Sequence, residues 1–478
     1  MNTSVAKPSK NWIKFGAKFL PFADAASETL PLSRLLRLSL FQISVGMALA
    51  LLIGTLNRVM IVELHVPAAL VAVMVSLPLL FAPFRAIIGF RSDHHRSHLG
   101  WRRVPYIWMG TLLQFGGFAI MPFALLVLGG LGQASNTPAW VGDLGAGLAF
   151  LLVGAGLHTT QTVGLALATD LAPPEDRPKV VGLMYVMLLL GIIMSSVVFG
   201  YVLQDFSPGT LIRTVQGAAV ITICLNVIAL WKQEGRTRGR SPDAYEEDPD
   251  FMESFKLFCN GEHAKRRLIA IGLGTMAFSM EDILLEPFGG EILGLSVAQT
   301  TYLTAILAMG GLIGFAWASQ ILSRGGDPFR MASWGAMVGI PAFIAVIFSA
   351  PQASAPLFTL GVIFIGFGAG LFGHGTLTAT MNSAPPGQAG LALGAWGAVQ
   401  ASTADAAMAL GGIMRDLVDL LGGDMANGYV SVYAVELVVL IFTAVVLSPL
   451  VRQAAIPPLS SEQRHPTDNN DNLLIYQR

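Results

Sequence analysis

The chain has 478 residues, of which 53% are hydrophobic and only 12% charged, with a mean hydropathy of +0.62. A soluble domain carries about a quarter charged residues, so an ordinary soluble enzyme is excluded. The net charge of -1 gives no long-range attraction for nucleic acid, and the informative property is where the charges fall.

Ahead of the first apolar run, Trp12, Phe15, Phe19 and Phe22 recur at helical spacing while Lys10, Lys14 and Lys18 line another face. This is the pattern of an amphipathic helix on a membrane surface; a basic leader that only sets topology, or a partner-binding arm, would look the same. About twelve apolar stretches follow, each near the roughly 20 residues that cross a hydrocarbon core about 30 Å thick. They run over 38–62, 67–90, 104–129, 141–166, 180–203, 210–231, 267–290, 297–322, 331–350, 357–380, 391–413 and 429–451. Continuous runs of this length select helices over a β-barrel, whose strands alternate over about ten residues. No small-residue cleavage site precedes the first run, which reads as a retained span. The 52 glycines fit closely packed membrane helices.

Arg91, Arg96, Arg102 and Arg103 fall between the second and third runs, Lys232, Arg236, Arg238, Arg240, Lys265, Arg266 and Arg267 between the sixth and seventh, and Arg324 and Arg330 between the eighth and ninth. The opposite loops carry acids: Asp205, Glu286, Glu291, Asp419 and Asp424. The positive-inside rule puts the basic loops and both termini in the cytoplasm. Cys224 in the sixth run and Cys259 in the central loop predict no disulfide.

Residues 232–266 are the longest polar segment and divide the chain into an arm (1–37), a six-helix half (38–231), this linker, a second six-helix half (267–451) and a tail (452–478) whose HPTDNNDN reads as disordered. The halves echo each other: LATDLAPPEDRPKVVG (167–182) follows the fourth run and TATMNSAPPGQAGLALG (378–394) the tenth. A weaker echo links VELHVPAALVAVM to EILGLSVAQTTYL. Two halves of like orientation predict an all-α transmembrane protein of the major facilitator fold, with a cavity between them.

In GFRSDHHRSHLGWRRVPYIW, Gly89, Asp93, Gly100, Arg102 and Arg103 resemble the facilitator signature that closes the cytoplasmic side, where a carboxylate pairs with arginine at a helix N-terminus and glycine lets helices cross closely. Six residues separate Asp93 from Gly100 where the general signature has two, so the latch is modified. As topology determinants alone, Arg102 and Arg103 need no latch. His94, His95 and His98 in the insertion read as a solvated loop, since no acid or cysteine completes a metal site.

Charges inside the membrane are costly and mark function or pairing. Arg85 lies close enough to the cytoplasmic end to snorkel, which gives it a structural role. Glu281, Asp282 and Asp405 are candidates for proton coupling or for a cationic substrate, with interhelical pairing as the rival reading. His158 in GAGLHTTQ and His374 in GLFGHGTLTAT occupy related places in the two halves. A neutral imidazole among small residues suits the axial position of a chlorophyll magnesium, and a helix-packing hydrogen bond is the alternative. No nucleophile elbow, phosphate-binding loop or zinc signature occurs in a supporting context, and no enzymatic activity is expected.

FRAIIGFRSDHHRSHLGWRRVPYIW, ATDLAPPEDRPKVVGLMYV and GLFGHGTLTATMNSAPP resemble the PucC/LhaA family of purple phototrophic bacteria, over roughly residues 30–451. The resemblance implies a facilitator-like protein of the bacterial inner, intracytoplasmic photosynthetic membrane that assists assembly of light-harvesting antennae. It implies bacteriochlorophyll as cofactor, with carotenoid or lipid as further ligands. Implied partners are antenna α/β polypeptides, membrane lipids, pigment-synthesis enzymes and the protein-insertion machinery. Length and the basic aromatic arm look more similar to LhaA, which serves light-harvesting complex 1, than to PucC, which serves the peripheral antenna. Composition alone leaves a proton-coupled transporter of a small solute or pigment precursor as the other reading.

Overall fold

The computed structural model describes residues 30–81, 84–85, 88–89, 91–92, 100–130, 138–173, 176–235, 264–382, 389–421 and 425–454. The amphipathic arm, most of the central linker, Cys259, the HHRSHL insertion and the tail lie outside the described residues. The described regular structure is helical.

The first span combines α1 (Leu32–Leu38), α2 (Leu40–Leu49) and two π-helical stretches, Ala50–Leu56 and Val59–Glu63. Helix α3 (Ala68–Ser76) continues into a 3-10 turn, Leu77–Phe81. Then come α4 (Val104–Leu128), α5 (Ala139–Leu171), α6 (Arg177–Val202) and α7 (Pro208–Leu230). The seventh span is broken: α8 (Ala264–Ala277) and α9 (Leu285–Glu291) are joined through the 3-10 turn Glu281–Ile283. Helices α10 (Val297–Leu322), α11 (Pro328–Ser349), α12 (Ala355–Asn382), α13 (Ala389–Leu420) and α14 (Met425–Ala454) complete the order.

Ten of these segments are long and apolar enough to cross a membrane, counting only described residues. Two of the sequence-read runs fall outside the ten. The run 67–90 is described only in part, and the run 391–413 lies in α13, whose Gln400, Ser402, Thr403 and Asp405 dilute its hydropathy. The helix starts follow local chemistry. Proline stands in the first turn of α4, α6, α7 and α11, where its missing N–H has no intrahelical partner to lose. Ser207 caps α7, Asp327 caps α11, and Ser296 with Gln299 forms a capping box on α10.

The packing repeats along the chain. Helix α4 lies against α5 and α7 as α11 lies against α12 and α14, and α2 meets α6 and α7 as α8 meets α13 and α14. Two pairs join these sets to each other, α3 with α13 and α6 with α10. The closest crossing is between α10 and α12. Gly310 and Gly314 oppose the carbonyls of Ile363 and Phe367, while Gly366 and Gly370 oppose those of Leu307 and Gly311. A side chain at any of the four would strike backbone, so the interface is two small-xxx-small stripes in contact. Gly366→Val is expected to force these helices apart at a cost of about 2–3 kcal/mol. Gly116→Val, where an added Cβ meets nothing within 4 Å, is expected to be near neutral. The midpoint of thermal unfolding in detergent measures the difference.

Candidate functional site at the contact between the two helix sets

At the basic-loop end, Gly100 adopts φ 79°, a left-handed conformation that favours glycine, and turns the chain into the arginine pair. Nη2 of Arg102 and Nε of Arg103 donate to the same carboxylate oxygen of Asp170, at 2.5 and 3.0 Å, in the last turn of α5. Nη1 of Arg103 donates to Ser92 Oγ at 2.7 Å, and that hydroxyl donates to the Gly89 carbonyl at 2.7 Å. Glu234, beyond α7, accepts the backbone N–H groups of Arg102, Arg103 and Val104 at 2.8 to 3.0 Å, neutralising the exposed donors at the start of α4. The latch thus closes on two carboxylates the motif did not name. Asp93, the carboxylate it did name, lies outside the described residues. An added Cβ at Gly89 would meet Thr162 at 3.8 Å, an ordinary contact among the described residues.

Deeper in, Arg85 departs from the snorkelling reading. Its Nε and Nη2 donate across to Thr162 Oγ1 at 3.0 Å and Gln161 Oε1 at 3.2 Å on α5, and the guanidinium interacts electrostatically with Tyr185 on α6 and Asp405 on α13. The gain is a set of acceptors that desolvation would otherwise make costly to forgo. His158, one turn before Gln161, shares the field of Arg85. His374 instead packs on Phe315 of α10, with ring centroids 4.2 Å apart. The two histidines are 8% and 7% exposed and sit in different surroundings. Tyr185 meets the edge of Trp396 at 6.0 Å, and Trp396 Nε1 donates to Thr376 Oγ1 at 3.2 Å, which ties α6 to α13 and α12.

The break in the seventh span has a local cause. Pro287, in the first turn of α9, has no N–H to give the carbonyl of Ile283 four residues earlier, on the far side of the break. Asn57 Nδ2 from the π-helical first span donates to that carbonyl instead. The same crossing joins Arg58 to the Leu295 carbonyl at 3.4 Å and Thr55 to Thr301 at 3.4 Å. Arg58 also pairs with Glu63. Glu286, expected in an outer loop, is 1% exposed, hydrogen-bonded by Thr304 and within the field of Arg58. Further out, Arg415 holds Glu291 and Asp416 at 2.7 Å each and lies 4.9 Å from the Tyr429 ring, while Tyr429 Oη donates to Glu291 at 2.7 Å. The other oxygen of Asp416 accepts the backbone N–H of Ala69 and so caps α3.

Glu281 and Asp282 lie in the 3-10 turn made by this break. Glu281 faces no base; its carboxyl meets that of Glu436 on α14. Asp282 lies in the fields of Glu281 and Asp405, so the predicted acids do converge. Sequence reading missed Arg58 and Glu436 inside apolar runs, though the rule that singled out Glu281 applies to both, and Arg415 just past the run 391–413. Asp170 and Glu234 carried no such signal, because both flank a span.

Between the first span, α4 and α7, a side-opening groove of about 200 Å³ is lined by Leu125, Leu126, Phe206, Leu211 and Val215, with Glu63 as its charged residue. Losing Glu234 in Glu234→Ala is expected to cost about 1–2 kcal/mol through the uncapped α4. Asp170→Asn is expected to cost about 2–3 kcal/mol, below the value for a fully buried pair because Asp170 is a third exposed. Thermal unfolding in detergent, with protease cleavage near residue 100 as a local readout, checks both.

Solved structures show the same fold at low identity. A bacterial homologue of the human lysosomal transporter Spinster, inward-facing and unoccupied, matches with a TM-score of 0.63 at 15% identity, over 90% of this chain and 97% of that one. The nucleoside transporter NupG matches with a TM-score of 0.57 at 16% identity, over 88% and 99%. The architecture is therefore the all-α major facilitator fold of a multi-pass membrane protein. Curated relatives are far more similar. Protein PucC of Rhodovulum sulfidophilum is 65% identical over 84% of this chain and 89% of its own, and Protein PucC of Cereibacter sphaeroides is 56% identical over 94% and 99%. A Rhodobacter capsulatus protein described as an uncharacterized protein in the puhA-bchM intergenic region is 52% identical over 93% and 94%. With the PUCC protein family matched across residues 55–455, the chain belongs to that family.

Proposed function

We propose that this protein is an assembly factor for bacterial light-harvesting antennae, bringing bacteriochlorophyll and single-span antenna polypeptides together within the inner membrane, with both termini in the cytoplasm. The observation that carries the reading is family membership across residues 55–455, with 65% identity to a protein named PucC. The role is non-enzymatic. Its partners are the antenna α/β polypeptides and lipid, with pigment-synthesis enzymes and the insertion machinery nearby. The N-terminal arm favours light-harvesting complex 1 as client, but relatives 56% to 65% identical carry the PucC name, so identity does not favour the LhaA branch.

The pigment reading has a stated fit. His158 Nδ1 is buried and meets no hydrogen-bond partner among the described residues, which suits a metal-ligating nitrogen. His158 would hold a bacteriochlorophyll there by this nitrogen, the pigment supplying a magnesium that accepts such a donor. His374 offers an imidazole backed by Phe315. Neither has, in this conformation, an open face as wide as a macrocycle, so the space around the donors fits less well than the donors do. The side-opening groove suits a carotenoid, acyl or isoprenoid chain.

Purified protein is expected to retain bacteriochlorophyll, and His158→Phe to lower its pigment content more than His374→Phe, read by extraction and absorption. Unchanged pigment in both variants removes these ligands. A deletion strain is expected to lose assembled antenna while still making pigment, and the lost absorption band identifies core or peripheral antenna as client. Full antenna absorption in that strain would refute the role. The second reading, a proton-coupled transporter of a small solute or pigment precursor, draws on Arg85, Asp282 and Asp405 meeting between the two helix sets. Solute counterflow in proteoliposomes that survives loss of pigment binding would favour it.

A further inference from the structure

Glu281 and Glu436 are 1% and 0% exposed and their carboxyls lie beside each other. A carboxylate is an acceptor only, and two buried carboxyls side by side with no cation between them cannot both be ionised, so one carries a proton. Among the described residues no lysine, arginine or histidine forms an ion pair with either. Arg58 is committed to Glu63 and Leu295, and Arg415 to Glu291 and Asp416. Glu281 Oε2 and both oxygens of Glu436 have no donor from any other described side chain.

A second observation is independent of the acids. Tyr433 is 0% exposed, its hydroxyl has no hydrogen-bond partner among the described residues, and it lies in the fields of both glutamates. On α14, Tyr429, Tyr433 and Glu436 fall at spacings of four and three and share one face. The Tyr429 to Glu291 hydrogen bond fixes that face against α9 two turns further out. The pair also sits where the seventh span loses helical form beside the π-helical first span, and interrupted helices of this kind mark ion and substrate sites in membrane proteins. The other charged or titratable groups facing the pair are Asp282 in the same turn and, through it, Asp405 on α13.

We propose that Glu281 and Glu436 form a proton-binding site within the membrane, which holds one proton shared between the two carboxyls, with the Tyr433 hydroxyl as third partner. Uptake forms one O–H bond on a glutamate oxygen using a proton from hydronium, the other glutamate stays ionised, and release reverses the step with no other bond changed. Emptying the site leaves two like charges at the break between α8 and α9, next to the Asn57 bond that joins the first span to the seventh. Occupancy therefore bears on that contact. The site stands apart from the antenna reading and holds or fails without it.

The test is infrared difference spectroscopy of the full chain in nanodiscs, titrated with acid and base, reading the carbonyl stretch of protonated carboxyls. The wild type is expected to lose one such band reversibly as pH rises. Glu281→Gln and Glu436→Gln are each expected to remove that same band, and the double variant to remove no more than either. Glu286→Gln should leave it in place, and Tyr433→Phe should shift its frequency. That shift, with the wild-type titration, serves as the measurement if the glutamine variants fail to fold. Additive loss from two separate bands, or no band lost in either variant, would overturn the proposal. So would sodium chloride abolishing the wild-type band at fixed pH, which would make the occupant a metal cation.

Discussion

A chain that crosses an apolar slab must supply a partner for every backbone N–H and C=O that leaves regular helix, because no water is there to do so. That requirement organises the middle of this protein. Pro287 leaves the Ile283 carbonyl without a helical donor, and Asn57 supplies one. The first span meets this need while itself π-helical over Ala50–Leu56 and Val59–Glu63, so the two irregular spans stabilise each other. Gly54 and Gly290 make the approach possible, since side chains there would strike Glu286 and Arg58.

The polar contacts between the two helix sets are distributed unevenly. Toward the acidic end, Asn57 reaches Ile283, Arg58 reaches Leu295, Thr55 meets Thr301, Asp416 caps α3, and Ser76 donates to the Asp405 carbonyl at 3.1 Å. Toward the basic-loop end, the described links are the aromatic edge between Tyr185 and Trp396 and the electrostatic interaction of Arg85 with Asp405. The ionic latch there, built on Asp170 and Glu234, joins residues of one half. Directional hydrogen bonds in a low-dielectric setting resist separation more than an aromatic contact does. The two sets are thus fastened at one end and held more loosely at the other.

Fold and function part company in this chain. Its architecture is that of transporters 15% to 16% identical to it, which share a backbone plan and little else. Its sequence groups with PucC proteins at 56% to 65% identity. Its small-residue helix crossings and the groove beside α4 and α7 are what the proposed role would use in place of a transport step.

The sequence by itself determined the helical class, the apolar spans, the basic side, the repeated organisation and the family, because hydropathy and long motif strings are local properties. It also singled out Arg85, Glu281, Asp282 and Asp405 by their place in apolar runs. What it left open was partnership. Arg85 reads as a snorkelling residue until Thr162, Gln161 and Asp405 are seen around it. Glu286 reads as a loop acid until the bend at Pro287 buries it beside Thr304. Glu281 had two readings, and only the tertiary structure set it against Glu436, some 150 residues away, rather than against a base. Hydropathy fixes the depth of a residue along a span, but its rotation about the helix axis, and hence its partner, follows from which grooves the neighbouring helices fill.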